Sequence, residues 1–171
     1  MTELHMRDAR VGDQAAALEV TRLAYQEYAA AMPGHWDEYW QSIVATLGNL
    51  NTTEQIVTVR EDAIVGTVLL VPTGTVMSAP NGDSVTFKWP EIRLLAVAPA
   101  ARGLGVGRAL VQECVRRARL TGIDAITLHT TDMMQVAMSM YERMGFVRDE
   151  ELDFHPAPEF TVKGYRYRLD E

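Results

Sequence analysis

Apolar positions recur at intervals of three and four in some stretches and of two in others, and the switches between these periods divide the chain. Leu4 to Arg10 reads as a short strand. Asp13 is placed to cap a helix in which Ala17, Val20, Ala24 and Tyr28 share a face, and Pro33-Gly34 ends it. Trp36, Tyr39, Trp40, Ile43, Val44 and Leu47 predict a second amphipathic helix, stopped at Gly48. Ile56–Arg60 and Ile64–Val71 are two strands around a Glu61-Asp62 turn. The stretch 72–84 holds Gly74 and Pro80-Asn81-Gly82, which predicts a loop or a loosely paired hairpin. Val85 to Val97 reads as one long strand, interrupted at Trp89-Pro90, where proline implies a bulge or an edge.

A helix follows to about Leu120, with Leu110, Val111, Cys114, Val115 and Ala118 on one face. Gly122 stops it, and Ile123–Thr130 is a strand. Asp132 is placed to cap a helix whose inner face is Met134, Ala137, Met138 and Tyr141, ending at Gly145. Phe146–Leu152 and Phe160–Leu169 are the last strands, separated by Pro156-Ala157-Pro158. In the final one Tyr165, Tyr167 and Leu169 alternate with Arg166 and Arg168. Helices alternate with strands only in part, so the expected fold is α/β in the α+β sense, with a mixed, mostly antiparallel sheet of about seven strands flanked by helices.

Composition narrows the picture. The 171 residues suggest one domain, 1–171, with a sizeable core. Hydrophobic residues are 47% and charged residues 23%, ordinary for a soluble chain, so a cytoplasmic setting is expected and no membrane span. The net charge of −7 argues against nucleic acid as the main partner and is compatible with a cationic ligand. The single cysteine, Cys114, cannot form an internal disulfide, and its helical face makes it a buried, inert thiol. No His/Cys/Asp cluster has metal-ligand spacing, so no metal is expected.

The candidate chemistry centres on residues 91–110. An apolar strand ends at Pro99, three glycines follow at Gly103, Gly105 and Gly107, and then a helix starts. A helix start leaves about four N–H groups without partners and carries roughly +0.5 charge, which suits a phosphate. The Walker pattern fails, because no lysine lies near these glycines. The dinucleotide fingerprint fits poorly, because its third glycine arrives one residue early. Asp124 stands about where a ribose-binding acid belongs, so a nucleotide-dependent oxidoreductase stays open.

Arg102-x-x-Gly105-x-Gly107 resembles the acyl-CoA loop of the GNAT-type N-acetyltransferases. Three further segments are similar to the same family: Arg7-x-Ala9-x-x-x-Asp13, Ala137-x-x-x-Tyr141-Glu142-x-x-Gly145-Phe146, and Gly164-Tyr165-x-Tyr167-x-Leu169. The matches run in the family's order over nearly the whole chain. The resemblance implies a single GNAT-like domain and acetyl-CoA as co-substrate, bound between the strand ending at Val97 and the strand Ile123–Thr130. It implies that the backbone of Leu95, Ala96 and Val97 bonds the pantetheine arm, with an N–H of Ala96 or Val97 polarising the thioester carbonyl. The N–H groups of Gly103, Leu104, Gly105, Val106, Gly107, Arg108 and Ala109 would take the pyrophosphate, and Arg102 and Arg108 would add charge.

The implied reaction moves an acetyl group to a primary amine, of a small molecule or of a peptide or protein, in a ternary complex. Glu91 aligns with a position where many family members carry a catalytic glutamate acting through water. An ordinary glutamate has a pKa of about 4.3, so it needs desolvation or a relay to deprotonate an ammonium. Tyr141 matches the tyrosine that points its hydroxyl at the CoA sulfur. One position departs: the family often carries asparagine seven residues before this tyrosine, and here it is Met134, so Thr130, Thr131 or Gln135 would have to replace its contact. Acceptor recognition would fall to the first two helices, the 72–90 loop and the last hairpin, with His35, Trp36, Tyr39 and Trp40 as candidates and Met77, Phe87 and Trp89 as pocket walls. His129 ends a strand beside the cleft, where a lone histidine is usually structural. A homodimer is compatible with this reading. The alternative is a non-catalytic acyl-CoA-binding or regulatory module on the same fold.

Overall fold

The computed structural model describes residues 3–78 and 82–170, so Pro80 and Asn81 of the expected turn lie outside the described residues. Its strands are β1 (His5–Asp8), β2 (Glu54–Arg60), β3 (Ala63–Val71), β4 (Val76–Ser78), β5 (Ser84–Thr86), β6 (Glu91–Val97), β7 (Ala125–Thr130), β8 (Val147–Arg148), β9 (Phe154–Ala157) and β10 (Phe160–Arg168). Its helices are α1 (Gln14–Tyr25), α2 (Trp36–Gly48), α3 (Val106–Leu120) and α4 (Gln135–Arg143). Contacts divide the chain into two compact units: residues 1–70 with 94–113, and residues 71–93 with 114–171.

In the first unit the strand order is β1-β2-β3-β6. β1 pairs with β2 and β2 with β3, both antiparallel. Ile56, Val57 and Thr58 are buried in succession, as are 66–71 of β3, which marks strands covered on both faces. Gly66 sets how closely the start of α3 packs: a Cβ there would come 2.6 Å from Val106 Cγ1 and 3.1 Å from Leu110 Cδ1. Val106, Leu110 and Val111 are fully or almost fully buried, each burial stabilising by roughly 1.5–3 kcal/mol.

In the second unit the order is β6-β7-β10-β8, with β9 on the far part of β10. β6 and β7 are parallel, while β10 runs antiparallel to β7, β8 and β9. The expected mixed, mostly antiparallel sheet is therefore observed, as seven strands in order with β9 added. β4 and β5 form a separate exposed hairpin, Val76 opposite Thr86, so the run from Val85 to Val97 is two strands and not one. Residues 149–153 hold a single helical turn (Glu150–Leu152), which shortens the expected strand from Phe146 to the two residues of β8.

Two expected caps are also corrected. Asp13 makes no side-chain cap to α1. Its carboxylate turns back to the Arg10 N–H at 2.6 Å and takes a two-armed bond from Arg7 at 2.6 and 3.2 Å, closing the short turn Val11–Asp13 ahead of the helix. The Arg7 guanidinium and the Arg10 N–H together hold the Asp13 carboxyl down at about 2. Asp132 does not cap α4, whose N-cap is Met134, because its carboxylate binds Lys163 Nζ at 2.6 Å. α1 stops at Tyr25 rather than running on through Tyr28, since residues Gln26–Ala31 tighten into a 3-10 segment.

Candidate active site

The first unit carries the glycine loop. Gly103 and Gly105 have φ of +78° and +80°, a region that strains any residue with a Cβ, and α3 starts directly after them. Gly107 and Arg108 fall in the first helical turn, where N–H groups point along the axis without helical acceptors. Ala109 is different: its N–H donates to the Gly105 carbonyl at 3.0 Å and is committed to the helix. Exposed Arg102 reaches back to α1 and the segment after it, donating to Glu27 Oε2 at 2.9 Å and to the Ala24 carbonyl.

Ahead of the loop, β6 leaves the regular pleat at Leu94, whose φ is +50°. A leucine in the left-handed region is strained, and such strain persists only where surrounding structure enforces it. The next residue, Leu95, accepts a hydrogen bond at its carbonyl from the Tyr25 hydroxyl at 3.1 Å. Tyr25 belongs to an aromatic group with Tyr28 and Tyr39, and Tyr39 also neighbours Trp36, which stacks on Trp40 at 6.2 Å. Trp36, Tyr39 and Trp40 are half-buried, so they are neither core residues nor free surface.

The second unit carries the carboxylate. Glu91 is 6% exposed and opens β6 opposite Thr127 in the parallel ladder. Its Oε1 accepts from the Thr127 hydroxyl at 3.3 Å and lies 2.8 Å from His129 Nδ1. Thr127 and His129 are alternate residues of β7 and share one face of it. The other imidazole nitrogen, Nε2, donates to the Leu152 carbonyl at 2.8 Å, and the ring meets Phe154 edge-on at 5.3 Å. Burial by itself would lower the imidazole pKa. The hydrogen bond and charge of Glu91, with the Leu152 carbonyl, outweigh that and the opposing charge of Arg93, so His129 is raised above its ordinary value. Glu91 is thus a desolvated carboxylate, not a surface one, and His129 is its partner, not a solitary structural histidine. The pairing joins residues far apart in sequence, so spacing gave no sign of it. The clue was the period of two in β7, which puts Thr127 and His129 on one side.

Tyr141 lies on α4, buried beside Phe146 at 5.9 Å between ring centres. The helix is tied to the sheet by Tyr165, whose hydroxyl donates to Glu142 at 2.8 Å. Burial and that carboxylate push the Tyr165 phenol up to about 12. Thr130 and Thr131 are buried, and their hydroxyls have no hydrogen-bond partner among the described residues. Cys114 is fully buried. Trp89 does not present itself as a pocket wall: it donates to Asp124 at 3.0 Å and carries the Arg166 guanidinium over its ring at 4.2 Å. A cavity of about 550 Å³ beside β8 and β10, lined by Met144, Arg148 and Arg166 among others, contains none of the expected site residues. Among the described residues no group of three or more His, Cys, Asp or Glu is arranged to hold a metal, and no helix is long and apolar enough to cross a membrane.

Gly164 fixes the turn that holds His129. Its N–H donates to Asp153, and its carbonyl accepts from the Asp149 N–H and from Arg148. A Cβ at Gly164 would overlap Leu152 Cβ and stand 3.0 Å from the Asp149 carbonyl. Gly164→Ala is expected to cost about 1–3 kcal/mol of stability, read as a lower urea midpoint with an unchanged slope. An unaltered midpoint would show that the turn yields freely.

The chain thus combines a parallel β6–β7 pair, a glycine loop opening onto α3 and a buried carboxylate at the start of β6. A model of the acetyltransferase (GNAT) family matches residues 21–146, and the chain belongs to that family. It is 27% identical over 131 residues to a mycothiol acetyltransferase of Streptomyces avermitilis, a match covering 71% of this chain and 42% of that one. The chain spans less than half the length of the curated relatives it matches. A GCN5-related N-acetyltransferase from Kribbella flavida has a similar structure, with TM-score 0.64, 25% identity, and coverage of 97% and 98% of the two chains. The fold is also that of yncA, a putative acetyltransferase from Salmonella typhimurium solved with acetyl-CoA, at TM-score 0.64, 18% identity and coverage of 98% and 95%.

Proposed function

We propose that this protein is an N-acetyltransferase that moves the acetyl group of acetyl-CoA to a primary amine by direct transfer in a ternary complex. The observation that carries the reading is the desolvated carboxylate of Glu91 at the head of the same strand, β6, that runs into the glycine loop and α3. Family membership and the acetyl-CoA bound to the Salmonella relative support the co-substrate.

The parts divide as follows. The N–H groups from Gly103 to Arg108 take the CoA pyrophosphate, with charge added by Arg102 and Arg108. The backbone of Leu95, Ala96 and Val97 bonds the pantetheine arm, and the N–H of Ala96 or Val97 polarises the thioester carbonyl as negative charge develops on its oxygen. The buried hydroxyls of Thr130 and Thr131 supply the contact that Met134 cannot make, because a buried hydroxyl without a partner gains about 1–3 kcal/mol on finding one. Glu91 accepts the ammonium proton. The freed amine adds to the carbonyl, the C–S bond breaks, and Tyr141 donates a hydrogen bond to the departing thiolate. No covalent enzyme intermediate is involved. The proposal extends to one working domain across residues 1–171, to a cytoplasmic setting, and to a homodimer, for which size-exclusion chromatography is the check.

The test is release of free CoA thiol from acetyl-CoA in the presence of polyamines, aminoglycosides, amino acids and peptides in turn. Amine-dependent release supports the proposal. Saturable acetyl-CoA binding with no release on any amine would instead identify a non-catalytic acyl-CoA-binding module.

A further inference from the structure

We propose that Glu91 and His129 work as one base, with His129 as the positioning residue that shares the proton Glu91 removes. The inference rests on the acetyltransferase reading above and explains how a carboxylate can serve it.

The geometry dictates the protonation. The Leu152 carbonyl can only accept, so the 2.8 Å contact requires a proton on His129 Nε2. A neutral imidazole with that tautomer presents a bare lone pair at Nδ1. Glu91 Oε1 stands 2.8 Å away with lone pairs of its own. Two facing lone pairs at that distance repel, and a proton between them converts repulsion into a charge-assisted hydrogen bond. A proton placed between them is therefore held by both groups at once, by Glu91 Oε1 and by His129 Nδ1.

The surrounding charges do not cancel this. From β6, Arg93 opposes a positive imidazole, and it is occupied with Met77 Sδ at 3.2 Å. On β7, Thr127 donates to Glu91 and leaves His129 alone. On β10, Lys163 is held by Asp132 at 2.6 Å. Next to Leu152, Asp153 is held by Arg148 at 2.7 Å. On β9, Phe154 contributes only its ring. The imidazole remains raised overall.

The step balances. One N–H bond of the substrate ammonium breaks, and its electron pair stays on nitrogen for attack on the thioester. One O–H bond forms at Glu91, directly or through a water, and the proton is shared with Nδ1. The ammonium goes from +1 to 0 and the pair from −1 to 0. The proton passes from the pair to solvent before the next turnover.

Two readouts test this. The first is the His129 ring signal followed by NMR against pH, identified by its absence in H129Q, in wild type and in E91Q. The expected result is a midpoint above about 6.5 in wild type that falls in E91Q, where the charge of Glu91 is gone and burial and Arg93 are opposed only by the Leu152 carbonyl and a neutral amide. Equal midpoints in the two proteins would overturn the shared proton. The second is the pH profile of kcat/KM. The acid limb is expected to move to lower pH in H129Q, with a loss of rate at neutral pH. Equal loss at every pH, with the limb unmoved, would make His129 merely structural. If H129Q does not fold, the wild-type and E91Q spectra decide, with the signal then assigned through its contact with the Phe154 ring. Absence of any amine-dependent turnover in wild type overturns the acetyltransferase reading itself. Turnover with an indifferent limb overturns the pair alone.

Discussion

Glu91→Gln is expected to lower kcat/KM at neutral pH by about 10²- to 10⁴-fold, the usual range for removing a positioned proton-transfer group. The substitution keeps the shape, and the amide offers its oxygen to a protonated His129 or its N–H to the bare Nδ1 of a neutral one, across the 2.8 Å now spanned. The fold should survive, and unchanged circular dichroism and thermal midpoint are the control. What disappears is the ionisable oxygen. The rise of kcat/KM with pH should therefore flatten, since only amines already deprotonated in solution would react. A large excess of a weakly basic amine should recover part of the rate. In the proposed arrangement acetyl-CoA is held by groups other than Glu91, so its affinity should stay within about twofold of wild type by calorimetry. A variant with the same pH profile as wild type would remove Glu91 from the mechanism.

Tyr141→Phe is expected to lower kcat by about 10- to 10³-fold, at or below the range for proton-transfer groups. A phenol near pKa 10 is a poor acid towards a thiol near 8.5, so the role proposed for it is to donate a hydrogen bond as negative charge grows on sulfur. That interaction is stronger in the transition state than in the ground state, so the loss belongs in kcat and not in the affinity for acetyl-CoA. The ring is buried against Phe146 and phenylalanine keeps that ring contact, so the fold should survive, with circular dichroism as the control. Acetyl-CoA analogues with a better leaving thiol should narrow the gap between variant and wild type. Wild-type turnover in the variant would leave Tyr141 as a core residue only.

Much of the fold was legible because burial leaves a periodic trace. α2, α3 and α4 follow their apolar faces, and β2, β3, β7 and β10 follow runs of buried residues. The two helix caps mislead for one reason: a short polar side chain has several partners to choose from. Asp13 and Asp132 both look like helix caps by position, and each is instead taken by a basic residue, Arg7 or Lys163. Pro90 reads in the sequence as a flaw within one strand, whereas the chain spends 84–86 on a separate hairpin before β6 begins. Near Pro156, β9 forms at the exposed end of β10, where a proline needs no ladder donor.

The chain alone determined the strand–loop–helix segment at 91–110, because positive φ at Gly103 and Gly105 and an abrupt change of period are local properties. It also determined the family, through motifs each confined to a few residues, and it singled out Glu91 and Tyr141 as candidates. Only the tertiary structure decided that Glu91 is buried, that His129 is its partner, and that Leu152 dictates the tautomer of that histidine. The reason is physical. A side chain's reactivity depends on its solvation and on the charges within a few ångströms, and both are set by strands and turns that meet only after folding.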